Sequence, residues 1–323
     1  MFYSVNLLFL TLLTFSTIIT VSSPSWFCMW MGIEMNTMAF IPLMYNLYNK
    51  LPTESALKYF LTQTFASMIM FLAIILMMTK DFYYLNSSSN MLLLSTGIKS
   101  GAAPFHMWYP SVVEGLSWSQ IIMLMTWQKI APLTMMSMTQ PSIVNMIMVV
   151  SSLTIGPISA FNQTSIRKIM AYSSITHMSW MIIMMYNSSS LWITYMLIYF
   201  LTTIIMIIFL QLLKIYHTMQ INMINNKQYY MLLTNFLSMG GFPPLLGFIA
   251  KWLILNELIN NSMVLVSILL VVSSCMNLYI YLRIIHPSMH MKMMNTKLTI
   301  MMPSTTMFFL TTISILSFLI ILL

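Results

Sequence analysis

Apolar runs of about 20 residues follow one another along almost the whole chain, and about 20 mostly apolar residues is what an α-helix needs to cross a bilayer. A soluble protein of similar size covers its core with charge, about a quarter of its residues. Here only 6% of 323 residues are charged, while 59% are hydrophobic. Mean hydropathy is +0.86. The chain has nothing with which to build a charged surface, so a bilayer is the solvent that fits it. The expectation is an all-α integral membrane protein with short connections and no room for a separate soluble domain.

The runs divide into about eleven spans, near 3–22, 26–46, 56–79, 90–114, 117–138, 142–161, 167–186, 190–214, 229–258, 262–285 and 300–323. Turn chemistry marks the breaks: Ser23-Pro24, Asn49 to Pro52, Asn86 to Asn90, Gln140-Pro141, Asn187 to Ser190, and Asn222 to Lys227. The first run is of span length and lacks both a basic flank and a small-residue cleavage site, so it reads as a retained helix and not as a signal peptide.

The formal charge of +8 is scattered singly and never forms a stripe, which excludes a nucleic-acid surface. Cys28 and Cys275 are far apart in apolar runs, too few for a disulfide framework or a four-thiolate cluster. There is no phosphate-binding glycine loop, metal-ligand cluster or catalytic triad. The 39 methionines suit irregular core packing. They equally suit an AT-rich animal mitochondrial gene, in which a common isoleucine codon is read as Met.

Loop charges alternate. After even-numbered spans come Lys50, Lys58, Arg167, Lys168, Lys214, Lys227, Arg283, Lys292 and Lys297; after odd-numbered ones comes only Lys80, with Asp81 beside it. The positive-inside rule then places the even loops and the N-terminus in the compartment of synthesis, with the C-terminus across the membrane.

Two spans are interrupted by glycine and proline: Gly101-Ala102-Ala103-Pro104, and Gly240-Gly241-Phe242-Pro243-Pro244. They are the fourth and ninth spans, so they cross in opposite directions. Paired broken helices of opposite orientation point to a transporter-type inverted repeat with an ion site near mid-membrane. Independent proline kinks are common in membranes, but here a lysine accompanies each break. The whole chain then reads as one transmembrane domain, with repeats near 26–138 and 142–285 and a C-terminal helix at 300–323.

Four ionisable residues lie within spans: Glu34, Lys99, Lys129 and Lys251. Each costs roughly 2.5–3.5 kcal/mol at a helix centre, together on the order of 10–14 kcal/mol. Snorkelling relieves such a charge only near a helix end, an objection that bears most on Lys251, which falls in the second half of its span. Glu34 and Lys129 are placed mid-helix, where it fails. Desolvation disfavours a charged lysine and a nearby carboxylate favours it, so a buried lysine with a movable acidic partner is a proton-loading switch. His106, after the first break, and His177, in the seventh span, are relay residues or hydrogen-bonded interior groups. Glu54 and Lys58 have the i, i+4 spacing of a surface pair. Glu114 reads as solvated.

The runs MGIEMN (31–36), ESALKYFLTQ (54–63), IKSGAAPFHMWYPSVVEGLSW (98–118), LMTWQKIAPL (124–133), NQTSIRKIMAYSSITHMSWM (162–181) and GGFPPLLGFIAKW (240–252) resemble the chain 2 family of animal mitochondrial NADH–ubiquinone oxidoreductase. With the methionine excess they suggest an insect member. The resemblance implies an antiporter-like fold in the proton-pumping respiratory complex I of the mitochondrial inner membrane. Within it, Glu34 and Lys99 form a carboxylate–lysine pair, Lys129 is a central relay, and Lys251 serves the second broken helix, with His106 and His177 on the same polar axis. It also implies that FMN, iron–sulfur clusters, NADH and ubiquinone bind other subunits, leaving this chain without a cofactor, a metal or a redox centre. Its partners would be membrane-arm and accessory subunits and phospholipids, not nucleic acid, and it would not exist as a free monomer. A cation/proton antiporter subunit of the same fold, or a non-conducting membrane scaffold, are the rival readings. The second leaves the mid-span charges unexplained.

Overall fold

Each apolar run between residues 3 and 285 folds as helix in the computed structural model, which describes residues 2–46, 49–78, 82–187, 190–224 and 226–292. The helices are α1 (Phe2–Ser22), α2 (Trp26–Met44), α3 (Lys50–Met78), α4 (Phe82–Ser100), α5 (Trp108–Gly115), α6 (Trp118–Met125), α7 (Trp127–Met138), α8 (Ile143–Phe161), α9 (Ile166–Tyr186), α10 (Leu191–Leu213), α11 (Asn226–Gly240), α12 (Leu246–Asn260) and α13 (Val264–Lys292), with a short 3-10 turn at Thr218–Met223. Among the described residues the only strand-like pairing is a single bridge between Ser165 and His217. Five helices, α2, α3, α8, α10 and α13 as far as His286, are each long and apolar enough to cross a membrane unaided. The span expected at 300–323 lies outside the described residues, as do Lys80, Asp81 and Lys297.

Serine and threonine are tolerated in these apolar helices because their hydroxyls bond back to the preceding turn. Ser95 donates to the Leu92 carbonyl at 2.8 Å and Thr203 to that of Tyr199 at 2.8 Å. The described chain gathers into two compact units, Met1–Ser152 with Met185–Ser189, and Leu153–Met184 with Ser190–Leu323. In the first, Gly32 of α2 faces α1 so closely that a Cβ there would come within 2.5 Å of the Thr20 methyl, the small-residue contact that lets membrane helices approach. Met29, Ile33, Met70, Ile74, Leu92, Ala131 and Met135 form a core shared by α2, α3, α4 and α7. In the second unit Gly156 abuts Thr176 in the same way. Asn277 of α13 donates to the Thr176 hydroxyl at 2.7 Å, and the Tyr229 hydroxyl donates to the Ile285 carbonyl at 3.1 Å.

Both glycine–proline interruptions are breaks in the helix. α4 stops at Ser100 and the chain resumes as α5 at Trp108; α11 stops at Gly240 and resumes as α12 at Leu246. A third interruption corrects the expectation of one continuous helix over 117–138. The chain turns at Thr126, with φ −114° and ψ −74°, between α6 and α7. Pro132 lacks the N–H that would bond the Gln128 carbonyl, and its ring crowds that carbonyl. Lys129 is therefore not mid-helix as expected: it stands in the first turn of α7, although it remains deep in the unit with 2% exposure.

Candidate functional site

The first break is built by glycine. Gly101 sits at φ +75°, a conformation open to glycine and strained for other residues. Its N–H bonds the Ile98 carbonyl at 3.2 Å and the next N–H, of Ala102, bonds that of Gly97 at 3.0 Å, which is the Schellman closure of a helix. The carbonyls freed by the break are taken up by neutral groups. Gln63 Nε2 donates to Lys99 at 3.2 Å, the Trp108 indole to Ile98 at 3.1 Å, and Ser151 Oγ to Ala103 at 2.8 Å.

Lys99, in the last turn of α4, is thereby directed into the unit. Its Nζ lies 3.9 Å from Oε2 of Glu34 on α2, with side-chain exposures of 1% and 24%. This is an ion pair at the outer edge of contact, and neither atom has a protein hydrogen-bond partner. Beside the pair lies a cavity of about 10 Å³, room for one water, lined among others by Asn36, Tyr59, Gln63, Lys99, Gln128 and Lys129. The structure thus brings Lys99 and Lys129 to a common cavity, although they come from separate helices. Lys129 Nζ is 5.5 Å from the centre of the Tyr109 ring. Gln128, next to Lys129, exchanges hydrogen bonds with Asn36, two residues after Glu34: Asn36 Nδ2 donates at 2.9 Å and Gln128 Nε2 at 3.3 Å. The Tyr59 hydroxyl adds a donor to the same Gln128 oxygen at 3.4 Å.

The second unit holds a parallel arrangement. Gly241, at φ +78°, closes α11 through the same two bonds, its own N–H to Ser238 at 3.2 Å and that of Phe242 to Leu237 at 3.0 Å. Lys251 of α12 folds back over the break and its ammonium donates to the Gly240 carbonyl at 2.7 Å. With 7% exposure it does not snorkel. Its Nζ is 5.9 Å from the Trp180 ring, which stacks on Tyr195 at 6.0 Å. His177 shares a 2.7 Å hydrogen bond with the Tyr195 hydroxyl, and which group donates depends on the imidazole tautomer. A second cavity of about 10 Å³ is lined by His177, Tyr195, Tyr199, Thr202 and Ser238 among others.

Other singled-out residues fall elsewhere. His106 is buried at the first break with Nδ1 3.2 Å from the Pro104 carbonyl, and it does not line the cavity. Glu54 and Lys58 pair at 2.6 Å on the surface, as their spacing implied, and Glu114 is exposed. Among the described residues no three His, Cys, Asp or Glu side chains gather in a metal-binding group. The uncharged lining was missed in the sequence. Tyr59 and Gln63 are one turn apart on α3, and Tyr195, Tyr199 and Thr202 follow i, i+4, i+7 on α10, so a polar stripe in an apolar helix was the available signal.

Residues 23–277 match the family profile described as NADH:quinone oxidoreductase/Mrp antiporter, transmembrane. Among relatives, NADH–ubiquinone oxidoreductase chain 2 of Anopheles gambiae is 45% identical over 287 residues, covering 86% of this chain and 84% of that one. The chain 2 of Locusta migratoria is 37% identical, covering 87% and 84%. Among solved structures, a chain of respiratory complex I from Thermus thermophilus, solved with bound aureothin, superposes with a TM-score of 0.83 at 21% identity, covering 97% of this chain and 78% of that one. At that identity the likeness speaks for the fold.

Proposed function

The chain belongs to the NADH–ubiquinone oxidoreductase chain 2 family, within the wider NADH:quinone oxidoreductase/Mrp antiporter group, and we propose that it carries protons through the membrane arm of respiratory complex I by a Glu34–Lys99–Lys129–Lys251 relay. It works in the mitochondrial inner membrane beside other membrane-arm and accessory subunits. Electron transfer from NADH to ubiquinone, with its flavin and iron–sulfur centres, takes place in those partners and drives the relay from outside this chain. The antiporter-like architecture is an eleven-span domain with two inverted repeats, each containing one helix broken by glycine and proline.

The single observation that carries this reading is the cavity shared by Lys99 and Lys129, with Glu34 3.9 Å from Lys99. At that distance a carboxylate offsets about 4 kcal/mol for an effective dielectric near 20. Keeping a lysine charged at mid-membrane costs roughly 2.5–3.5 kcal/mol. The two magnitudes nearly balance, so a small displacement of Glu34 decides whether the Lys99 ammonium is tolerated. With Glu34 near, Lys99 holds a proton. With Glu34 withdrawn, the proton leaves for the cavity, which Lys129 also lines. In the second unit Lys251 and the His177–Tyr195 pair supply the further stations.

Lys129→Ala tests the relay. Complex carrying it should assemble and reduce quinone, while proton pumping per NADH oxidised falls at least about tenfold; wild-type pumping in assembled mutant would remove Lys129 from the path. The orientation follows the loop charges, with the N-terminus in the matrix and the C-terminus in the intermembrane space. Impermeant thiol labels on cysteines placed in the 215–224 segment should react from the matrix side only, and labelling from the other side would reverse the topology.

A further inference from the structure

The relay leaves a group of cations in the second unit without a role. Arg167 and Lys168 open α9, Lys214 caps α10, and Arg283 lies in the second half of α13. Backbone bonds tie the loop before α9 to the segment after α10: Ile166 N–H to Tyr216 at 3.0 Å and Thr218 N–H to Thr164 at 3.1 Å. Arg283 reaches the same place, its Nη1 donating to the Phe161 carbonyl at 3.0 Å. These cations therefore share one end of the unit. The only acidic residue in the unit's sequence is Glu257, in the last turn of α12, at the end away from them.

Arg283 is held by more than its hydrogen bond. Its guanidinium lies 4.6 Å from the centre of the Phe161 ring, and Phe161 stacks on Tyr279 at 5.8 Å with the planes 9° apart. A cation over aromatic rings is attracted to their faces, and one bond to a carbonyl leaves most of the five guanidinium N–H groups to donate elsewhere. Arg283 is exposed, and so is Tyr279, at 53%. Towards the membrane interior α13 continues as an exposed apolar stripe, Ile268, Val272 and Met276, at successive one-turn steps below Tyr279. Aromatic rings mark headgroup level in membrane proteins. A fixed cation at that level, above an exposed apolar track and far from any acidic residue of its unit, matches a lipid that has a phosphate above and acyl chains below. An acidic protein segment would match the cation but not the track.

We propose that Arg283, held over the Phe161 ring, binds the phosphate of an anionic diacyl phospholipid whose chains lie along the exposed face of α13. The test uses intact purified complex in nanodiscs with photoactivatable phosphatidylglycerol or phosphatidylcholine at equal mole fraction, and maps labelled peptides of α13. Phosphatidylglycerol should label the 276–283 region about fivefold more than phosphatidylcholine, the factor expected for one basic residue facing an anionic headgroup. Arg283→Gln should remove that excess while phosphatidylcholine labelling and NADH oxidation stay unchanged. Raised ionic strength should reduce the excess in unsubstituted complex, a measurement that does not depend on the variant assembling. Equal labelling by the two lipids would mean boundary lipid only, an excess that survives Arg283→Gln would place the phosphate elsewhere, and protection from both probes would mean a protein partner covers this face; each of these overturns the proposal.

Discussion

At the first break Gly101 closes α4, and at the second Gly241 closes α11, through the same pair of backbone bonds and at nearly the same φ, 75° and 78°. The lysines beside them are used differently. At the first break the exposed carbonyls are bonded by Gln63, Trp108 and Ser151, so the Lys99 ammonium is spared and faces Glu34 across 3.9 Å. At the second, the Lys251 ammonium itself bonds the Gly240 carbonyl at 2.7 Å. In one unit neutral side chains hold the backbone and leave the charge free to respond to a carboxylate. In the other the charge is part of what holds the backbone. A shared break does not imply a shared role for its lysine, because the role depends on which group satisfies the freed carbonyls.

The largest effect that would sharpen this contrast is expected at the first break. Removing one partner of a buried ion pair costs roughly 3–5 kcal/mol, because the other charge is left without compensation. Glu34→Gln and Lys99→Met should each lower pumping at least about tenfold in assembled complex. The double variant should lose much less than the sum of the two. Strictly additive losses of pumping would show that the two charges do not communicate and would end the switch mechanism.

A smaller effect separates the lysines by stability. Lys251→Met leaves the Gly240 carbonyl without its donor, a cost of about 1–3 kcal/mol for a buried polar group. Lys99→Met breaks no backbone hydrogen bond. The backbone around Gly240 should therefore loosen in Lys251→Met, while backbone order around residues 98–104 is unchanged in Lys99→Met. Hydrogen exchange at the two breaks would measure this, and equal loosening at both would erase the distinction.

The smallest effect should be common to both units. Gly101→Ala and Gly241→Ala each force a Cβ into a left-handed backbone, roughly 1–2 kcal/mol. The added atom would meet the Tyr109 ring at 3.0 Å in one case and the Lys251 side chain at 2.9 Å in the other. Similar losses of thermal stability are expected, with a larger loss of pumping for Gly241→Ala because the displaced group is the lysine itself. A drop in pumping confined to Gly101→Ala would reverse the assignment.

The periodic apolar runs carry the membrane environment and most helix positions, because a bilayer imposes a length on each span. They carry the two breaks as well, since glycine and proline act on the backbone locally. The charged residues were legible because a charge in an apolar run is costly wherever it lands. The turn at Thr126 was not: Pro132 lies six residues further on, and a proline in a membrane helix can kink it, break it or be accommodated. Asn36, Gln128, Tyr59, Tyr195 and Tyr199 were passed over because an uncharged polar residue in a helix can bond its own preceding turn or face another helix, and sequence alone does not separate the two. Family membership and the identity of the candidate charges were thus settled by the order of residues. That Lys99 and Lys129 line one cavity, that Glu34 stops 3.9 Å short of Lys99, and that Lys251 is bonded to the break beside it were decided only by the packing. The reason is that each depends on side chains from different helices meeting at distances of a few ångströms, which no single helix specifies.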